Sequence, residues 1–194
     1  MGNILKQQGR IEDAIKAFET AISLKPDYAE VHNNMGNALR EQGKLKEAIK
    51  AFTTSISFKP DYVAAYNNMG TALNDQGKLG EALEAFNTAL VLKPDNAVTH
   101  NNIGNVLQHQ GKLDRARDAY KNAILCKPEY AEAHRHLSEM VKYKPGDIQI
   151  NQVKQLIRQS SLNDKDRCQL HYAFAKMKAD LGDYENAFKQ YALG

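Results

Sequence analysis

AEVHNNMGNALREQGKLKEAIKAFTTSISFKPDY, residues 29–62, is one pass of a pattern that runs through the chain. From Ala29 to Gln42 no proline interrupts, and Val31, Met35, Ala38 and Leu39 recur at helical spacing. Gly43 supplies the left-handed conformation that ends a helix. Leu45, Ala48, Ile49, Phe52 and Ile56 form a second apolar stripe, which Pro60 closes. Lys59, standing before that proline, is biased away from helical geometry. The stretch predicts two helices joined by a glycine turn. Gly36 and Ala48 are small enough for paired helices to approach closely, and Phe52 fills the space between neighbours. One such hairpin cannot bury its apolar face alone, so it must stack on others.

The rest of the chain supplies those others. Gly2, Gly36, Gly70 and Gly104 lie 34 residues apart, as do Gly9, Gly43, Gly77 and Gly111. Ala14, Ala48, Ala82 and Ala116 follow the same period, with Phe18, Phe52, Phe86 and Tyr120, and with Pro26, Pro60, Pro94 and Pro128. Five series in one phase establish an internal repeat.

This pattern resembles the tetratricopeptide repeat (TPR). The resemblance implies an all-α, right-handed superhelical solenoid of about twelve helices whose first helices line a concave groove. Residues 1–194 divide as a single array. Residues 1–28 are a repeat without its first six positions, and 29–62, 63–96 and 97–130 are regular repeats. Residues 131–167 form a degenerate repeat, three residues longer. Its first helix is expected over Ala131–Val141, and its second after an N-cap at Asp147 with Ile148, Val153, Leu156 and Ile157 inward. Residues 168–194 form a truncated, divergent repeat with Ala175, Gly182, Ala187 and Tyr191 in the repeat positions. Both ends fall inside a repeat, so a larger protein is expected.

Composition narrows the function classes. With 42% hydrophobic and 25% charged residues, the chain suits a folded soluble protein. No stretch approaches the ~20 apolar residues of a membrane helix, and the N-terminus lacks the regions of a signal peptide. Gly2 does not open a myristoylation motif, because Lys6 stands where Ser or Thr is required. Two cysteines make neither a disulfide framework nor a zinc site, which points to the cytoplasm. A net charge of +3 without a Lys/Arg run argues against nucleic acid and membrane as partners.

Asparagine forms the sharpest constellation. The pairs Asn33–Asn34, Asn67–Asn68 and Asn101–Asn102 precede each first-helix glycine, and Asn37, Thr71 and Asn105 follow it. Residues three apart share a helix face, so Asn34, Asn68 and Asn102 are expected to form a ladder along the groove. An amide offers one acceptor and two donor hydrogens, which matches the main chain of an extended peptide whatever its side chains. In TPR families of the O-linked N-acetylglucosamine transferase type, a similar ladder binds peptide in this way. The Lys and Arg of a carboxylate clamp are absent: Glu30, Asn33, Ala64, Asn67 and Asn68 hold those positions. A purely structural reading makes the asparagines a solvated helix face.

Other candidates carry less. His32, His100, His134 and His171 share one repeat position with Tyr66 and are expected to pack rather than to bind metal. Cys126 replaces Leu24, Phe58 and Leu92, which predicts a buried thiol, and Cys168 is expected to begin a helix. Gly36 to Leu45 lacks the spacing and the Ser or Thr of a phosphate loop. No catalytic residue, cofactor or metal is expected in this chain.

A second resemblance lies near the C-terminus. Asp166-Arg-Cys-Gln-Leu-His-Tyr-Ala-Phe-Ala-Lys176, followed by Asp180-Leu-Gly-Asp-Tyr-Glu-Asn-Ala-Phe188, is similar to the segment preceding the catalytic domain of bacterial TPR-sulfotransferases. It implies the N-terminal, protein- or peptide-binding part of a sulfotransferase-like protein. The alternatives are the substrate-recognition arm of a glycosyltransferase and a structural scaffold that self-associates through truncated repeat ends.

Overall fold

The computed structural model describes residues 1–194 and is all-helical, with twelve helices. Its contacts divide it into two compact units, Met1–Asp95 and Asn96–Gly194. No helix is long and apolar enough to cross a membrane.

The first unit holds α1 (Gly2–Gln7), α2 (Ile11–Leu24), α3 (Ala29–Glu41), α4 (Leu45–Phe58), α5 (Val63–Asp75) and α6 (Leu79–Leu92). Helices adjacent in sequence pack on one another, and α3 also touches α5. The turn between α3 and α4 shows why they end where they do. Gly43 takes φ 75°, Lys44 N–H bonds to Leu39 C=O at 3.0 Å and Gly43 N–H to Arg40 C=O at 2.9 Å. This pairing satisfies the last carbonyls of the helix. At the other end of α4, Lys59 is extended before Pro60, with φ −139° and ψ 85°.

Phe18, Phe52 and Phe86 are buried within their own hairpins, against the first-helix glycines. A Cβ built on Gly36 would lie 2.5 Å from the Phe52 ring, and one on Gly70 would lie 2.7 Å from Phe86. Leu39, Ala48, Ala51, Phe52 and Ala72 form one core cluster, which ties two hairpins together. Ser55 is wholly buried and donates to Ala29 C=O at 2.7 Å; Ala21 and Ala89 occupy that place elsewhere in the unit.

The second unit holds α7 (Ala97–His109), α8 (Leu113–Cys126), α9 (Ala131–Met140), α10 (Ile148–Ile157), α11 (Asp164–Asp180) and α12 (Tyr184–Tyr191). α7 and α8 form a regular hairpin. Beyond them, α9 packs on α11, and α10 lies against α11. Their core is Ala131, Tyr143, Val153, Leu156, Leu170, Ala173 and Met177. Asp147 stands at the N-cap of α10 as expected, but its carboxylate accepts from Lys144 N–H in the preceding loop at 2.8 Å.

Two expectations fail here. Ile148 is 75% exposed; as the first residue of α10 it lies about 140° around the helix from Val153, at ~100° per residue. Cys168 does not begin a helix. α11 starts at Asp164, capped by Asn163, whose Oδ1 accepts from Asp166 N–H at 2.8 Å.

Candidate amide-lined binding face

The paired asparagines separate into two classes. The first of each pair is interior: Asn33 is 4% exposed, Asn67 8% and Asn101 0%. The second of each pair, Asn34, Asn68 and Asn102, is part-exposed, as are Asn37, Thr71 and Asn105. Adjacent residues on a helix point about 100° apart, so one member faces the packed interior while the other reaches the surface.

In the first unit, the interior amide brackets the outer one. Asn68 Nδ2–H donates to Asn33 Oδ1 at 2.9 Å, across 35 residues of sequence. Asn68 keeps its Oδ1 and one N–H for other partners. Asn67 Nδ2–H donates to Val63 C=O at 3.2 Å, and Thr71 Oγ1–H to Asn67 C=O at 2.9 Å. A cleft of about 270 Å³ beside α1, α2 and the start of α3 includes Asn3 and Asn34 in its wall. A larger one of about 490 Å³ lies between α2 and α4, over His32, Met35 and Leu39, away from the asparagine amides.

The second unit repeats the bracket with a different side chain. His136 Nδ1 lies 3.0 Å from Asn101 Oδ1, again 35 residues away. A carbonyl oxygen only accepts, so Nδ1 carries the proton. His136 therefore occupies the register of Asn34, Asn68 and Asn102, 34 residues beyond Asn102. It was legible as the next rung of that period but not as an asparagine. Asn101 Nδ2–H also faces Glu132 Oε1 at 3.4 Å. Burial, reinforced by the neighbouring Arg135, lowers the His136 pKa to about 4, against the opposing pull of Glu132. The imidazole is neutral at pH 7.

The His136 ring sits 5.0 Å from the Tyr120 ring. Tyr120 is wholly buried, and its hydroxyl lies 2.8 Å from Asn105 Oδ1 and 2.9 Å from Gln108 Oε1. Burial, with the nearby Glu139 carboxylate, pushes the phenol well above its ordinary range. The role of Gln108 was not legible, because Lys6, Arg40 and Asn74 stand at its position in other repeats.

Three of the aligned histidines, His32, His134 and His171, are buried residues with a polar task, while His100 is part-exposed. His32 and His134 set Nε2 at 2.7 and 2.8 Å from the carbonyls of Pro26 and Pro128, six residues earlier. For His134 the network continues. Its Nδ1 accepts from Gln149 Nε2–H at 3.2 Å, and Gln149 Oε1 accepts from Tyr143 OH at 2.7 Å. His171 is also buried, with Nδ1 2.8 Å from Gln190 Oε1. No group of three or more His, Cys, Asp and Glu side chains converges to hold a metal ion. Cys126 is exposed rather than buried. Its position lies off the inward stripe of the second helix, and Leu24 in the equivalent place is 83% exposed.

The TPR repeat family matches residues 2–39, 36–73 and 70–111, and the description "Tetratricopeptide repeat" also matches 97–127. The chain belongs to the tetratricopeptide repeat family. No curated protein matches its sequence. Among solved structures it is similar to a MamA protein from Desulfovibrio magneticus, at 18% identity over 92% of this chain and 89% of that one, with TM-score 0.65. It is also similar to PilF of Pseudomonas aeruginosa, at 15% identity over 97% and 85%, with TM-score 0.75. A thermophilic TPR protein of Thermus thermophilus matches at 22% identity over 89% and 94%, with TM-score 0.69. At these identities the likeness shows the fold alone. The TPR fold is a scaffold for protein–protein interaction.

Proposed function

We propose that this TPR chain binds extended peptide through the peptide's main chain. The part-exposed Asn34, Asn37, Asn68, Thr71, Asn102 and Asn105 supply the contacts. The buried Asn33 supports Asn68 from behind. The observation that carries this reading is the Asn68–Asn33 bond at 2.9 Å. A solvated asparagine needs no buried acceptor, whereas a binding amide gains from being held in one orientation, because less freedom is lost when the ligand arrives. Main-chain recognition predicts tolerance of ligand sequence and intolerance of a blocked main chain. Peptides selected from a random display library, then N-methylated one residue at a time, test this. Loss of affinity at alternating methylated positions, with weak dependence on side chains, supports the reading. Affinity set by side chains and indifferent to N-methylation refutes it.

The link to a sulfotransferase-like protein rests on the 166–188 run, with His134–Ser138 and the 144–147 loop fitting the same region. A domain with a sulfate-donor phosphate site in the same gene is the observation that tests it.

A further inference from the structure

Tyr120 stands where the other repeats carry Phe18, Phe52 and Phe86. The ring does the same packing work against Gly104, so the fold does not require the hydroxyl. That hydroxyl is nevertheless fully engaged, between Asn105 Oδ1 and Gln108 Oε1. A phenol has one proton and cannot donate to two carbonyl oxygens. One amide must therefore turn over and donate its N–H to the phenol oxygen, an exchange of near-isosteric groups. The amide that accepts the phenol proton keeps both N–H donors free. The amide that donates keeps its carbonyl oxygen free. Asn105 and Gln108 are three apart on α7 and share a face, and both are part-exposed. The His136 ring against Tyr120 holds the phenol between them.

We infer that Asn105, Tyr120 and Gln108 form a donor–acceptor pair that grips one main-chain residue of an extended peptide, with Tyr120 as its positioning residue. This rests on the main-chain reading of the binding face. An extended residue presents one C=O and one N–H, the complement of what the pair leaves free. Phenylalanine at the equivalent positions imposes no such opposition. The two orientations of the pair also exchange donor for acceptor, so the grip accepts a peptide in either chain direction.

The test uses the full chain, with side-chain amide NMR and a capped trialanine as probe. Without probe, the Asn105 and Gln108 side-chain amides should be ordered in the wild type and mobile in Tyr120→Phe, with the melting temperature little changed. With probe, both amides should shift in the wild type. Tyr120→Phe should weaken the probe about fivefold, the equivalent of one neutral hydrogen bond. Equal order of the amides in the two proteins, or equal affinity, overturns the inference. Shifts at Asn34, Asn37 and Asn68 without shifts at Asn105 and Gln108 overturn it while leaving the main-chain reading intact. No shift at any of these amides overturns both.

Discussion

Single residues differ sharply in how tightly the fold holds them, and glycine shows it most cleanly. Gly70 has no room for a methyl group, because the Phe86 ring stands 2.7 Å from where its Cβ would be. Gly80, in α6, meets nothing within 4 Å. Gly70→Ala should destabilise the protein by about 1–3 kcal/mol. Gly80→Ala should stabilise it by about 0.5–1 kcal/mol. Opposite shifts of the urea midpoint are the expected result, and shifts of one sign would count against close packing at Gly70. His136 makes a second prediction. Its folded pKa of about 4 lies below the ordinary 6.5, so the unfolded chain takes up the proton first. Its stabilising effect is complete above pH 6.5 and is lost as pH falls from 6.5 through 4, amounting to about 3 kcal/mol. His136→Asn restores the amide found at Asn68 and should remove that part of the acid lability, measured as melting temperature against pH. The glycines were legible because a repeated small residue opposite a repeated aromatic has one packing explanation. The roles of Asn33 and Asn101 were not: adjacent identical residues do not say which of them faces inward.

Among the elements, helix ends were legible wherever a glycine or proline marked them. The turn at Gly43 and the stop before Pro60 follow from local backbone restrictions. The start of α11 lacks such a mark, because Asn163 caps by its side chain and the apolar period begins later. That cap has a measurable value. Asn163→Ala should cost about 1 kcal/mol and fray the first turn around Asp166. Amide hydrogen exchange at Asp166 and Arg167 reads the fraying directly, and unchanged protection there would remove the cap from the account. Beyond α9 the 34-residue period gives way, and with it the reading of Ile148, though Val153 and Leu156 of α10 face inward as expected. Tyr143, buried at 3% exposure in the loop before that helix, fastens this region instead. Its N–H bonds to Asp180 Oδ2 at 3.1 Å. Burial would raise the Asp180 pKa, but the Lys176 ammonium and the Tyr143 N–H hold it below the ordinary carboxylate value. Long-range bonds of this kind leave no period in a sequence.

For the whole molecule, repetition made the fold readable from one 34-residue stretch, since each hairpin needs a neighbour to bury its apolar face. The proposed binding face was readable only in part. The period located the amides, but burial divides them into an inner and an outer set, and the neighbouring His136 and Gln108 depart from the residue types repeated at their positions. The account as a whole requires the outer set to act together on a peptide main chain. Titration calorimetry of a display-selected peptide against the wild type and Asn34→Ala/Asn37→Ala/Asn102→Ala measures this most directly. Three lost hydrogen bonds at ~0.5–1.5 kcal/mol each predict affinity about 10- to 1000-fold weaker, with helical circular dichroism unchanged. Equal affinity in the two proteins would contradict the central claim.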